Sequence, residues 1–336
     1  MMTISLDDVR SARGRIAPHV VQTPTTHDES LAQGLGTQVW FKWENRQTTG
    51  AFKLRGALNK ILSLPSGSTS RGVLAASSGN HGQGVALAAQ MLGVPATIYV
   101  PDDTPHKKLR GMAQLGAEVV TVPGGYGAAE EAALATARGS DAVWVSAYND
   151  PDIIAGAGTL ALEWLEQVPS LDLLLVPAGG GGLVSGVGLA AKALKPGMRV
   201  VGVQAEASAA LHADFYGGDM NAVMHRPTLA DGLAGPVEEG SITIPLVRQL
   251  VDEIVLVNEI EIEGAMAYAY RAHGEVIEGA GAVGLAALLT GKVACSAGQV
   301  VGVLVSGGNV DPERHAEILS RQAGGAETWF ATAERS

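Results

Sequence analysis

Residues 171–195 read LDLLLVPAGGGGLVSGVGLAAKALK, and the parsing of this stretch decides the fold. Its inner part, residues 173–191, runs nineteen residues without a charge, which a hydropathy window flags as a membrane span. Pro177 and four consecutive glycines weaken that reading, and no second membrane span is expected elsewhere in the chain. A buried strand (LDLLLV), a glycine loop and a buried helix (LVSGVGLAAKALK) explain it better. Successive glycines let backbone N–H groups converge on an anion at a helix N-terminus, where the helix dipole adds to the attraction. A tight turn needs only one or two glycines, and each further one costs backbone entropy. Packing is therefore not expected to account for four, and phosphate binding is expected. No lysine follows as in a P-loop, so a nucleoside triphosphate is not favoured.

The same alternation extends outward from about residue 70. RGVLAA, ATIYVP, EVVTV, DAVWVS, RVVGVQ, EIVLV and QVVGVLVS are apolar runs of strand length. QGVALAAQMLG, DDTPHKKLRGMAQLG, IIAGAGTLALEWLEQ and IEIEGAMAYAYRAHG read as helices between them, with Gly93 and Gly116 as stops. Strands apolar on both faces, alternating with helices, predict an α/β fold of parallel sheets covered on both sides. Ligands in such sheets bind at the carboxyl ends of the strands.

Bulk properties agree. The 336 residues are 46% hydrophobic and 17% charged, enough for two domains with large cores. A net charge of −11 without any Lys/Arg run excludes nucleic acid as an expected partner. The single cysteine, Cys295, rules out an intrachain disulfide framework and suits a reducing compartment. The N-terminal stretch carries early acids and no apolar core, unlike a secretory signal, so a cytoplasmic protein off the membrane is expected.

Two more loops lie between a strand and a helix or turn. SSGNHGQG (77–84) offers two hydroxyls, an amide and bare N–H groups, which suit a carboxylate. Helix capping accounts for one of Ser77, Ser78 and Asn80, not for all three with Gly79. His81 has no second histidine at ligand spacing, and no metal is expected. VSGGN (305–309) follows the last strand. Upstream, TTGAFKLRGALNK (48–60) places Lys53 at the start of an apolar stripe formed by Leu54, Leu58, Ile61 and Leu62. Flanked by Phe52 and Leu54, Lys53 either snorkels to water or is a desolvated nucleophile. GVGLAA (186–191) with Glu206 permits a nicotinamide-dependent oxidoreductase, although the match falls inside a helix.

A phosphate cradle, a carboxylate loop and an apolar-flanked lysine together suggest pyridoxal phosphate holding an amino acid. KWENRQTTGAFKLRGA, SSGNHG, PAGGGGL, TLADGL, EGAGA and SGGN occur in one order over roughly residues 10–320. This series resembles the fold-type II pyridoxal-phosphate enzymes, in particular the threonine/serine dehydratases (ammonia-lyases) and serine racemases. The resemblance implies a two-domain, tryptophan-synthase-β-like architecture, with a large cofactor-binding domain (1–52 and 147–336) and a small domain (53–146). It implies Lys53 as the Schiff-base lysine and general base, Phe52 packed on the cofactor ring, Asn80 hydrogen-bonded to the ring's 3-hydroxyl, Ser306 facing the ring nitrogen, and Gly232 and Glu278 near the ring. Gly179, Gly180, Gly181, Gly182 and Leu183 would hold the phosphate; Ser77, Ser78, Gly79, Asn80 and His81 would hold the substrate carboxylate. The implied reaction is β-elimination from L-threonine or L-serine to a 2-oxo acid and ammonia, in a homodimer or homotetramer.

Several positions depart from the family pattern. Ser78 stands where dedicated threonine dehydratases often have alanine and serine racemases use a serine as a catalytic proton donor, which brings in racemase as an alternative. Ala51 and Ala157 replace a usual serine and glutamine, which admits other β-hydroxy substrates such as 3-hydroxyaspartate or phenylserine. His212 follows Glu206 where cation-binding members have an aspartate. The short stretch after SGGNVDPERHAE is not expected to hold the regulatory domain of isoleucine-controlled relatives, so feedback control of that type is not expected.

Overall fold

The apolar runs sort into two sheets. The computed structural model describes residues 4–322; the termini that the expected large domain includes, 1–3 and 323–336, lie outside the described residues. The strands are β1 (Thr25–His27), β2 (Gln38–Trp43), β3 (Val73–Ala76), β4 (Ala96–Pro101), β5 (Glu118–Val122), β6 (Val143–Trp144), β7 (Leu173–Pro177), β8 (Arg199–Ala205), β9 (Glu253–Val257) and β10 (Val300–Val305). The helices are α1 (Leu6–Ile16), α2 (Glu29–Leu35), α3 (Lys53–Ser63), α4 (Asn80–Leu92), α5 (His106–Gln114), α6 (Gly125–Gly139), α7 (Pro151–Gln167), α8 (Gly182–Leu194), α9 (Ala210–Phe215), α10 (Thr243–Leu250), α11 (Glu259–His273), α12 (Gly279–Leu289) and α13 (Pro312–Arg321).

One sheet runs β1-β2-β10-β7-β8-β9 and the other β5-β4-β3-β6. Every pairing is parallel except β1 with β2. In the first sheet β7 sits between β10 and β8, and all five of its residues are buried. Side chains alternate across a strand. Leu174 and Val176 therefore enter the layer built with α1, α7, α8 and α10, whereas Leu173 and Leu175 enter that of α11 and α12. Each such burial contributes roughly 1.5–3 kcal/mol. A third core packs α3 and α4 on β3 and β4.

Helix α3 is wedged between α4 and α7. A Cβ on Gly84 would stand 3.2 Å from Leu54 N, and one on Gly156 would stand 2.6 Å from Arg55 O. These glycines allow the backbones to close on α3 from both sides. Among the described residues no helix is long and apolar enough to cross a membrane, and residues 173–191 divide into β7, the glycine loop and α8.

Candidate active site

Three loops leave the carboxyl ends of β3, β7 and β10, the edge where open parallel sheets bind ligands. Lys53 opens α3. Its Nζ donates to Ala147 O at 2.8 Å and lies 5.1 Å from the Phe52 ring centroid. Burial pushes its pKa down to about 8, with the nearby Glu278 carboxyl opposing the fall. Hydrogen-bonded to a backbone carbonyl and with its pKa lowered by burial, the amine is placed as the desolvated alternative requires. Because the folded pKa lies below the ordinary lysine value, the amine is largely uncharged above about pH 8. An amine-acylating reagent with peptide mapping should label Lys53 of the ligand-free protein with a midpoint near pH 8. A midpoint at the unperturbed value of about 10.4 would show a solvated amine instead.

A short antiparallel ladder ties Lys53 to the loop after β10. Phe52 N donates to Ser306 O at 3.0 Å, Gly308 N donates to Gly50 O at 2.9 Å, and Ala51 bridges Gly307. Ser306 is buried here. A side chain at Gly307 would run into the Glu278 carboxyl.

SSGNHG is not wholly a loop: Asn80 and His81 form the first turn of α4. The N-cap is Gly79, without a side-chain cap, and Ser77 Oγ accepts from Gly79 N at 3.1 Å. Capping therefore does not explain the serines, and the first N–H groups of α4 suit an anion. His81 Nε2 lies 2.9 Å from Val145 O. A carbonyl only accepts, so Nε2 carries the proton. Burial, reinforced by Lys53, holds His81 down to about 3, so the ring is neutral. Among the described residues no group of three His, Cys, Asp or Glu side chains is placed to hold a metal.

The glycine loop corrects the expectation that packing has no part in it. A Cβ on Gly180 would fall 2.5 Å from the Tyr148 ring, and on Gly182 2.9 Å from Tyr148 Cα. Gly179 meets Leu233 at 3.0 Å and Gly181, with φ +89°, meets Thr243 at 2.8 Å. All four glycines are thus required by close neighbours as well as by backbone exposure. Leu183 is the second residue of α8, and the first intrahelical bond is Ser185 N to Gly181 O. The helix start leaves its leading N–H groups for an anion.

Tyr148 and Asn149 were not anticipated. The Tyr148 hydroxyl accepts from Glu238 N at 2.8 Å, Asn149 Oδ1 accepts from Ile242 N at 3.0 Å, and Thr243 Oγ1 donates to Gly180 O at 2.7 Å. Residues 145–149 thereby touch His81, Lys53 and the glycine loop together. No motif marks them, because their partners are distant in sequence.

Beside the ladder, Asn80 Nδ2 donates to Glu278 Oε1 at 2.7 Å, and Asn80 Oδ1 accepts from Asn309 Nδ2 at 2.8 Å. Burial and then Asp231 push Glu278 up to about 8, against the Asn80 hydrogen bond. Gly232, in the 3-10 turn Asp231–Leu233, faces Ala280, next but one after Glu278. Away from this centre, Glu206 lies 3.6 Å from Lys292 Nζ, and GVGLAA lies within α8, without the strand-turn-helix context of a dinucleotide site.

The model of the family described as pyridoxal-phosphate dependent enzyme matches residues 16–307. The L-threonine ammonia-lyase of Thermotoga maritima is 42% identical over 95% of this chain and 79% of its own length. The L-threo-3-hydroxyaspartate ammonia-lyase of Saccharomyces cerevisiae is 38% identical over 97% and 99%. The structure of maize serine racemase superposes with a TM-score of 0.87, at 35% identity, covering 95% of this chain and 98% of that one.

Proposed function

The chain belongs to the pyridoxal-phosphate-dependent enzyme family, and from that premise we propose that it is an ammonia-lyase for L-threonine or L-serine. Water leaves from the β-hydroxyl and is returned on hydrolysis, so the net products are a 2-oxo acid and ammonia. The observation that carries this reading is the Lys53 amine, lowered to about 8 and bonded to the same 145–147 segment that His81 grips. The similarity to the T. maritima L-threonine ammonia-lyase supports it.

The residues present fit the cofactor: an amine that loses its charge near pH 8, N–H groups at the start of α8, and a buried Ser306 hydroxyl. Gly179–Leu183 with Phe52, Asn80, Gly232, Glu278 and Ser306 would hold pyridoxal phosphate, which would supply an electron sink for the α-carbon. Lys53 anchors it and takes the α-proton at Nζ. Ser77, Ser78, Gly79 and the start of α4, with Asn80 and His81, hold the substrate carboxylate. The neutral His81 adds no charge that would trap the product acid. Ser306 would present a hydroxyl, not a carboxylate, to the ring nitrogen, which would keep the sink weak. Residues 53–146 form the smaller domain in this reading, and the chain works as a cytoplasmic homodimer or homotetramer.

The test is 2-oxo acid release from L-threonine, L-serine and L-threo-3-hydroxyaspartate by the cofactor-loaded protein. Release from either of the first two supports the proposal. Release from the third alone moves the substrate to acidic β-hydroxy amino acids, and release from none contradicts elimination. Racemisation is the second reading, favoured by the Ser78 hydroxyl beside the α4 start and by the likeness to maize serine racemase. If it occurs, Ser78→Ala should lower D-serine formation roughly 10²-fold or more while sparing 2-oxo acid release. Equal loss of both would assign Ser78 to binding alone.

A further inference from the structure

Asn309 reaches two groups at once. Its Nδ2 donates to Thr49 O at 2.7 Å and to Asn80 Oδ1 at 2.8 Å. A backbone carbonyl can only accept, so the Thr49 contact decides which end of the Asn309 amide is NH₂. That same NH₂ then decides the Asn80 amide: its oxygen faces Asn309 and its nitrogen faces Glu278 Oε1 at 2.7 Å. Asn80 Nδ2 has two hydrogens, and Glu278 uses one. The other remains for a ligand.

Asn309 is itself held in place. It follows the ladder that pairs Phe52 with Ser306 and Gly50 with Gly308. Gly50, at φ +73°, leaves space that a Cβ would take from Asn309 Oδ1, which would stand 2.5 Å away. The chain of polarity therefore runs from a fixed carbonyl, through Asn309, to Asn80.

We infer that Asn309 is a positioning residue that makes Asn80 meet the cofactor ring hydroxyl as a donor. The inference rests on the reading that Asn80 contacts this hydroxyl. An ionised ring hydroxyl is stabilised by an N–H and repelled by an amide oxygen, so a reversed Asn80 would weaken cofactor binding. Asn309→Asp has no NH₂ to give and should reverse Asn80; Asn309→Ala removes the guide altogether.

The experiment titrates pyridoxal phosphate into cofactor-free wild type, Asn80→Ala, Asn309→Ala, Asn309→Asp and the Asn80→Ala/Asn309→Ala double variant. Affinity, visible absorption of the bound cofactor and thermal midpoint are recorded. Each single variant should weaken affinity about tenfold and change the absorption, while the thermal midpoint of the Asn309 variants stays near wild type. The double variant should bind no more weakly than Asn80→Ala alone, since coupled residues are non-additive. Unchanged affinity and absorption in the Asn309 variants overturn the inference, as does a full additive loss in the double variant. An Asn80→Ala protein indistinguishable from wild type removes the underlying reading of Asn80, and the inference falls with it.

Discussion

Lys53→Ala should lower 2-oxo acid release from L-threonine or L-serine by roughly 10²- to 10⁴-fold through lost proton transfer alone, with a further loss from the missing cofactor anchor. The size follows from where the amine sits. Burial has brought it to about 8, close to operating pH, where a base combines availability with driving force. Lys53→Arg should fare no better, because a guanidinium stays protonated and cannot act as a base. Both variants should fold, since Nζ makes one hydrogen bond, to Ala147 O, and lies outside the third core. Wild-type rates in Lys53→Ala would remove the lysine from the mechanism.

Arg55→Ala should destabilise the fold by about 3–5 kcal/mol, a large part of a total near 5–15 kcal/mol. Two residues after Lys53, Arg55 is buried with Lys42, Glu44 and Glu163. Its Nε and Nη2 hold Glu44 at 2.9 and 2.8 Å, and Nη2 holds Glu163 at 3.0 Å. Lys42 Nζ meets Glu163 at 2.5 Å, Thr23 O at 2.7 Å and Gln167 at 2.7 Å. Two cations thus balance two carboxylates, joining β2, α3 and α7. Removing Arg55 leaves Lys42 to serve both acids. Burial by itself would raise the Glu44 pKa, but the Arg55 charge and hydrogen bonds outweigh it and hold it below 4.5. The stability Glu44 contributes is therefore present above that pH and fades as pH falls through its lowered folded value. Denaturant unfolding checks the prediction. Arg55→Met combined with Glu44→Gln should recover part of the loss, because Lys42 and Glu163 then remain matched. A loss no larger than that of an exposed arginine would contradict this account of the network.

This network also shows why part of the fold was hidden in the sequence. β4, β5 and β9 match their apolar runs, and the stripe after Lys53 marks α3 correctly. β2 escaped notice because QVWFKW carries a lysine that reads as surface, while its partner Glu163 lies 121 residues away. α12 is apolar around its whole circumference, so it carries no helical periodicity to detect. The site was legible wherever backbone chemistry demands a residue type: the glycine run, the SSGN turn and the lysine after Phe52. It was illegible where an ordinary residue acquires its place by long-range contact. Tyr148 against Gly180 and Asn309 against Asn80 are of that kind. His81 lay between the two, conspicuous in its motif yet bound to Val145 by a contact no spacing reveals.

The most direct test of the central claim is borohydride reduction of the cofactor-loaded protein, followed by proteolysis and mass mapping of the fixed pyridoxyl group. The account predicts the label on Lys53. A label on Lys42, Lys108 or another lysine, with Lys53 unmodified, would contradict it.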